Sequence, residues 1–209
     1  MDHPNLPRDK HDNKSVEILS RSEGSVVIPL LPELLTWVQD MNWPIAIEVV
    51  EILLKYRIET IPHVKMILSQ NDTGWINNIL RYLISEWDTE FVSRLSASLQ
   101  ELAQTMDNYE DTDLLSIEIL NTHRLIETNE AVALLVRKQS ETKGYLENFT
   151  AEQKVIFLEL ENERLDILNT EGKRIVNYVK ENSESLNQKY QYENLLRRQQ
   201  EIEVRIKNL

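Results

Sequence analysis

From Ile28 to Ile84 the apolar residues recur at steps of three and four, and the pattern is written twice, thirty residues apart. Sliding the chain by thirty sets Ile28 on Ile58, Leu31 on Ile61, Pro32 on Pro62, Leu34 on Val64, Trp37 on Ile67 and Val38 on Leu68. After a turn the match resumes with Ile45 on Trp75, Ala46 on Ile76, Val49 on Ile79, Val50 on Leu80, Leu53 on Leu83 and Leu54 on Ile84. Each copy therefore lays one apolar face on each of two helices, and two helices per copy predict a small α-solenoid of HEAT-like type.

The polar punctuation divides the pattern into elements. An arm over Met1 to Asn13 leads into a short helix from about Lys14 to Ser20, with Val16 and Leu19 inward and Gly24 as its stop. Pro32 suits the first turn of a helix running to about Asp40, because its missing N–H is unpaired there in any case. Asn42, Trp43 and Pro44 make the turn, and Pro44 starts a helix to about Tyr56. In the second copy Thr60 is the expected N-cap ahead of Pro62, and Asp72 the expected N-cap of Thr73 to Ser85. A third, divergent pair follows: Asp88 opens a helix with Phe91, Leu95, Leu99 and Leu102, and Leu114, Ile117, Ile119 and Leu120 lie on its partner. The run Asp107 to Asp113 between them reads as a solvated turn, and the repeat domain closes near residue 122, giving domains 1–122 and 123–209.

Beyond Leu125 there is no proline, charge dominates and the apolar positions thin to a stripe, the composition of long helices. One helix is expected over about Leu125 to Lys143, ending near Gly144. Thr150 with Gln153 is a capping-box pattern opening a helix whose stripe is Leu158, Leu165, Leu168, Ile175 and Val179. The stripe loses register over Asn182 to Lys189, where a turn near Ser183 to Ser185 is expected, and resumes through Tyr192, Leu195, Ile202, Ile206 and Leu209. The second half is thus a long-helix hairpin or coiled-coil segment, and the whole chain is all-α.

Charge separates the halves. Residues 1–122 carry 9 Lys/Arg against 20 Asp/Glu, and residues 123–209 carry 14 against 15. An acidic first half repels nucleic acid and anionic lipid and speeds encounter with a basic protein surface, although the same charge also serves solubility. No stretch approaches the ~20 apolar residues a bilayer requires, so no membrane association is expected. The polar start and the absence of cysteine agree with a cytoplasmic location.

With the repeats placed, residues of roughly 4 to 121 resemble the DUF5071 family, a bacterial domain of HEAT-like helical pairs. The resemblance rests on Leu6-Pro7-Arg8-Asp9-Lys10 with Asp12, on Leu31-Pro32-Glu33-Leu34-Leu35 with Trp37, on Gln39-Asp40-Met41-Asn42-Trp43-Pro44, and on Asn71-Asp72 with Trp75 and Ile79-Leu80. It implies a fold and carries no catalytic residues; domains of this kind often act by binding, as adaptors or immunity proteins. The Thr150-Ala151-Glu152-Gln153 start and the long charged helix are similar to flagellar export chaperones, although the same periodicity fits any helical hairpin.

The chemistry-bearing residues form no catalytic or cofactor-binding motif. His3, His11, His63 and His123 are scattered, His63 reading as a surface residue, and no zinc spacing occurs. Asp107, Asp111, Asp113 and Glu118 fit a calcium-loop template, but Tyr109 and Thr112 stand where it requires an acid and a glycine. Gly24, Gly74, Gly144 and Gly172 are too isolated for a phosphate loop. Arg197, Arg198, Arg205 and Lys207 are interleaved with Glu193, Glu201 and Glu203, the pattern of an ion-paired helix face. Trp37 and Trp75 fall on core positions; Trp43, beside Asp40 and Asn42, either locks its turn or presents an aromatic anchor. The sequence therefore predicts a non-enzymatic protein-binding module with no metal or cofactor, candidate contacts at Trp43, Asp40 and Asn42, a basic protein partner and self-association through the C-terminal helices. A helical export chaperone acting through those helices is the alternative.

Overall fold

A computed structural model describes residues 5–209, so the first four residues of the expected arm, with His3, lie outside it. All regular structure among the described residues is helical: α1 Asn13–Ser20, α2 Gly24–Val27, α3 Leu31–Thr36, α4 Ala46–Leu53, α5 Arg57–Leu68, α6 Thr73–Tyr82, α7 Thr89–Ser93, α8 Ser96–Gln104, α9 Thr112–Thr122, α10 Thr128–Glu147, α11 Ala151–Thr170, α12 Ile175–Glu181 and α13 Ser183–Asn208. The chain divides into two compact units, Met1–Leu134 and Leu135–Leu209, with the division inside α10.

In the first unit burial follows the thirty-residue repeat. Leu31 and Ile61, Leu34 and Val64, Val38 and Leu68, Ala46 and Ile76, Val49 and Ile79, and Leu53 and Leu83 are buried pair by pair. Helix α3 packs on α4 and α5, α5 on α6 and α8, and α6 and α8 on α9. The third pair is α8 and α9, which pack on each other with Leu95, Leu99, Leu114, Ile117 and Leu120 buried.

The element bounds depart from the sequence reading where proline and hydroxyl chemistry intervene. The first copy begins as α2, a 3-10 turn over Ile28–Leu30 and α3, whereas the second begins as the unbroken α5. Pro29 falls in the 3-10 turn where the second copy has Glu59, but a missing N–H alone does not decide the break, since Pro62, expected in a first turn, sits inside α5 without interrupting it. Gly24 opens α2 instead of ending α1, and α3 stops at Thr36, so Trp37 is a half-buried C-cap and not a core residue. Pro44 lies in the turn, since α4 starts only at Ala46. Thr60 is no N-cap: α5 starts at Arg57, and the buried Thr60 hydroxyl donates back to the Tyr56 carbonyl at 2.7 Å. Asp72 does cap α6, accepting from Trp75 N at 3.0 Å, and Asp88 makes no side-chain cap to α7. The single helix expected after Asp88 is broken into α7 and α8.

In the second unit, Gly144 sits inside α10, because one glycine costs a helix only about 1 kcal/mol. The Thr150 and Gln153 capping box is formed in both directions, at 3.1 and 2.9 Å. The chain breaks at Glu171 with a 3-10 turn, and again at Asn182, folding α12 and α13 back along α11. The core side of α11 is Phe157, Leu160 and Ile167, not Leu158, Leu165 and Leu168, which are exposed. Both sets satisfy the three-four spacing; the aromatic cluster of Phe149, Phe157 and Tyr192, and the Tyr178 hydroxyl donating to Leu160 O at 2.6 Å, decide which face turns inward. Lys189 ties α13 to α11 through Glu161 at 2.9 Å and also reaches Glu193 at 2.7 Å.

Candidate protein-binding surface

The three candidate residues meet in one short turn between α3 and α4. Asp40 Oδ1 accepts from both the backbone N–H and the side-chain amide of Asn42, each at 2.9 Å, an Asx turn that closes without help from its surroundings. The next N–H, from Trp43, donates to Asp40 O at 3.1 Å. Trp43 then lies edge-on against Trp37, ring centroids 5.5 Å apart at 67°. Both rings are half-buried, so the aromatic pair both packs the turn and shows one edge to solvent.

The second repeat holds this turn from behind. Trp75 on α6 donates its indole N–H to Leu35 O at 3.1 Å. Asn78, one turn along, donates its amide to Val38 O and Gln39 O at 3.1 and 3.0 Å. Leu35 O also accepts from the Val38 N–H at 3.1 Å, so α6 adds a second donor to the end of α3 and supplies donors to the two carbonyls of the segment that follows it. The sequence places Trp75 in the packing alone; the buried indole's need for an acceptor and the adjacent amides Asn77 and Asn78 carried the missing signal.

Helix α4 continues the surface. Ile47, four residues after Trp43, is half exposed, and Glu48 and Glu51 are exposed beside it. Glu48, Glu51, Glu17, Asn13, Val16 and Ser20 line a hollow of about 260 Å³ between α4 and α1. Acidic side chains of α1 and α4 therefore flank the hollow, with Ile47 exposed beside them on α4.

The other motifs have structural occupations. Arg8 donates to Asp12 through its backbone N–H and its Nε, at 3.2 and 2.9 Å, while Asp12 caps α1 by accepting from Ser15 N and Oγ. These bonds, that from Arg8 first, hold the Asp12 carboxyl well below the usual carboxylate range. The run Asp107 to Asp113 is only partly solvated: Asp107, Asp111 and Asp113 are buried, while Tyr109 and Glu110 are exposed. Asp107 accepts from the N–H groups of Tyr109, Glu110 and Thr112 and from the Thr112 hydroxyl, and Asn77 clamps the loop by donating to Glu110 O. His63 is half-buried with Nδ1 enclosed, and His123 shares a hydrogen bond with Thr89 at 2.9 Å. Arg198 is buried and Arg205 pairs with Glu201 at 2.7 Å. Among the described residues no three histidines and carboxylates are grouped to hold a metal ion, and no helix is long and apolar enough to cross a membrane.

These features define an all-helical domain with a hydrogen-bonded, partly aromatic surface turn. The chain belongs to the family described as Domain of unknown function (DUF5071), whose model matches residues 5–123. Comparison with curated proteins gave no match.

Proposed function

We propose that the first unit is a HEAT-like repeat scaffold that acts as a non-enzymatic protein-binding adaptor in the cytoplasm, and that its partner is a basic protein docking on the turn Asp40–Trp43 and the outer face of α4. The observation that carries this reading is the Trp37 and Trp43 pair, half-buried between the Asx turn in front and Trp75 and Asn78 behind. A pre-ordered aromatic edge loses little conformational entropy on binding, the property of interface hot spots. Beside it, exposed Ile47 extends the apolar contact, and Asp40, Glu48 and Glu51 supply charge for a lysine- or arginine-rich rim.

The division of labour follows from range. The excess of 20 acidic over 9 basic residues in residues 1–122 acts over about a Debye length and accelerates encounter, whereas the aromatic contact acts only once docked and slows release. Stopped-flow kinetics of the intact chain with its captured partner test this. The on-rate falls with added salt while the off-rate changes little, and an on-rate independent of salt contradicts the electrostatic half of the reading.

A further inference from the structure

The face of α11 opposite its core carries Ala151, Val155, Leu158, Asn162, Leu165 and Asn169, all exposed and spaced alternately by four and three. Val155 is 57%, Leu158 68% and Leu165 45% exposed, an apolar stripe on the outer side of a helix whose inner side is already packed on α12 and α13. Alternating four-three spacing is that of a coiled-coil seam, with Val155, Asn162 and Asn169 at a positions and Ala151, Leu158 and Leu165 at d positions.

We propose that this stripe is a self-association surface, on which α11 pairs in parallel and in register with α11 of a second copy of this chain. The proposal is independent of the Trp43 surface. Three features select a second copy in that orientation. A β-branched residue at a with leucine at d favours two strands. Asn162 and Asn169 meet their own counterparts only in a parallel, in-register pair, where each amide offers the donor and the acceptor the other needs; in an antiparallel pair they face the leucine layers.

Charge makes the same choice. The e positions are Glu152, Glu159 and Asp166, all acidic, and an antiparallel pair would set e against e. In parallel, g meets e five residues on, so Lys154 meets Glu159 of the second copy, twice by symmetry. Lys154 is exposed at the edge of the stripe, 5.7 Å from the centre of the Tyr192 ring. The one like-charge meeting, Glu161 with Asp166, is muted because Lys189 and Arg164 already hold Glu161 at 2.9 and 2.6 Å. Leu168, at the next g position and half exposed, widens the apolar seam. The capping box and the packing of α13 form α11 beforehand, so pairing bears no helix-nucleation cost.

Sedimentation equilibrium of the intact chain reads the result, with twice the 24.6 kDa chain mass expected at concentrations of about 100 μM, well above a micromolar dissociation constant. Leu158→Lys with Leu165→Lys halves that mass and leaves the helical circular-dichroism signal unchanged, since both positions are exposed. The chain has no cysteine, so Ala151→Cys reports orientation: at a d layer of a parallel pair the two sulfurs are within disulfide reach, and mild oxidation yields a covalent dimer. The same cysteine placed on the double-lysine background yields none. A monomer at about 100 μM, a dimer that survives both lysines, or a dimer with no cross-link at 151 overturns the proposal.

Discussion

The indole N–H of Trp75 donates to the carbonyl of Leu35, forty residues earlier, at 3.1 Å. One bond thus ties the second repeat to the end of the first helix of the first repeat, immediately ahead of the turn that presents Trp43. Stability and the candidate surface are coupled at this point.

Trp75→Phe retains most of the ring contact and loses that bond, so unfolding in urea should report a loss of about 1 kcal/mol. Trp75→Ala also removes a buried ring and should cost roughly 3 to 5 kcal/mol. No loss of stability in Trp75→Phe would show that the bond contributes nothing.

Trp43→Ala removes a half-buried ring and one edge-on aromatic contact, worth about 0.5 to 1.5 kcal/mol beyond its buried area. Trp37→Ala should behave like Trp43→Ala and unlike Trp75→Ala. A melting temperature lowered as far by Trp43→Ala as by Trp75→Ala would make the Trp43 ring structural first.

Much of this architecture is legible in the sequence, for a physical reason. Apolar side chains thirty residues apart share their burial, so Leu31 with Ile61 and Val49 with Ile79 could be matched from the sequence. Local chemistry with two solutions is harder to read. Thr60 has the chemistry of a cap, yet its hydroxyl bonds a carbonyl within a helix already under way. Gly24 and Gly144 look like stops, but a glycine ends a helix only where the backbone must turn left-handed, and neither has a positive φ. On α11 the periodicity is satisfied by two opposite faces, and only the partners Tyr178 and Tyr192 choose between them. The Asp107 to Asp113 run reads as solvated because its acids are counted before their backbone donors can be seen.

Acid should weaken the second unit in a defined window. Hydrogen bonds from Arg164 and then Lys189 lower the Glu161 carboxyl from 4.5 to about 2. Its folded value lies below its unfolded one, so its contribution is complete above pH 4.5 and is lost as pH falls from there towards 2. Glu161→Gln should therefore melt below the native chain at pH 7, and the gap should close as the pH is lowered through that window. A gap independent of pH would assign the loss to packing.

The capping box at Thr150 and Gln153 fixes where α11 begins. Thr150→Ala should cost about 1 kcal/mol and fray the first turn, read as faster amide hydrogen exchange over Glu152 to Lys154. Unchanged exchange there would mean that tertiary packing alone holds the start of the helix.

The most direct test of the binding account is parallel capture from cell extract by the intact chain and by its Trp43→Ala variant, with both folds checked by circular dichroism. A basic protein held by the native chain should fall at least tenfold with the variant, as the loss of about 1.4 kcal/mol or more at a hot spot requires, and its capture should weaken with added salt. A basic partner retained equally by both chains, with no dependence on salt, would contradict the assignment of the Asp40–Trp43 turn as the binding surface.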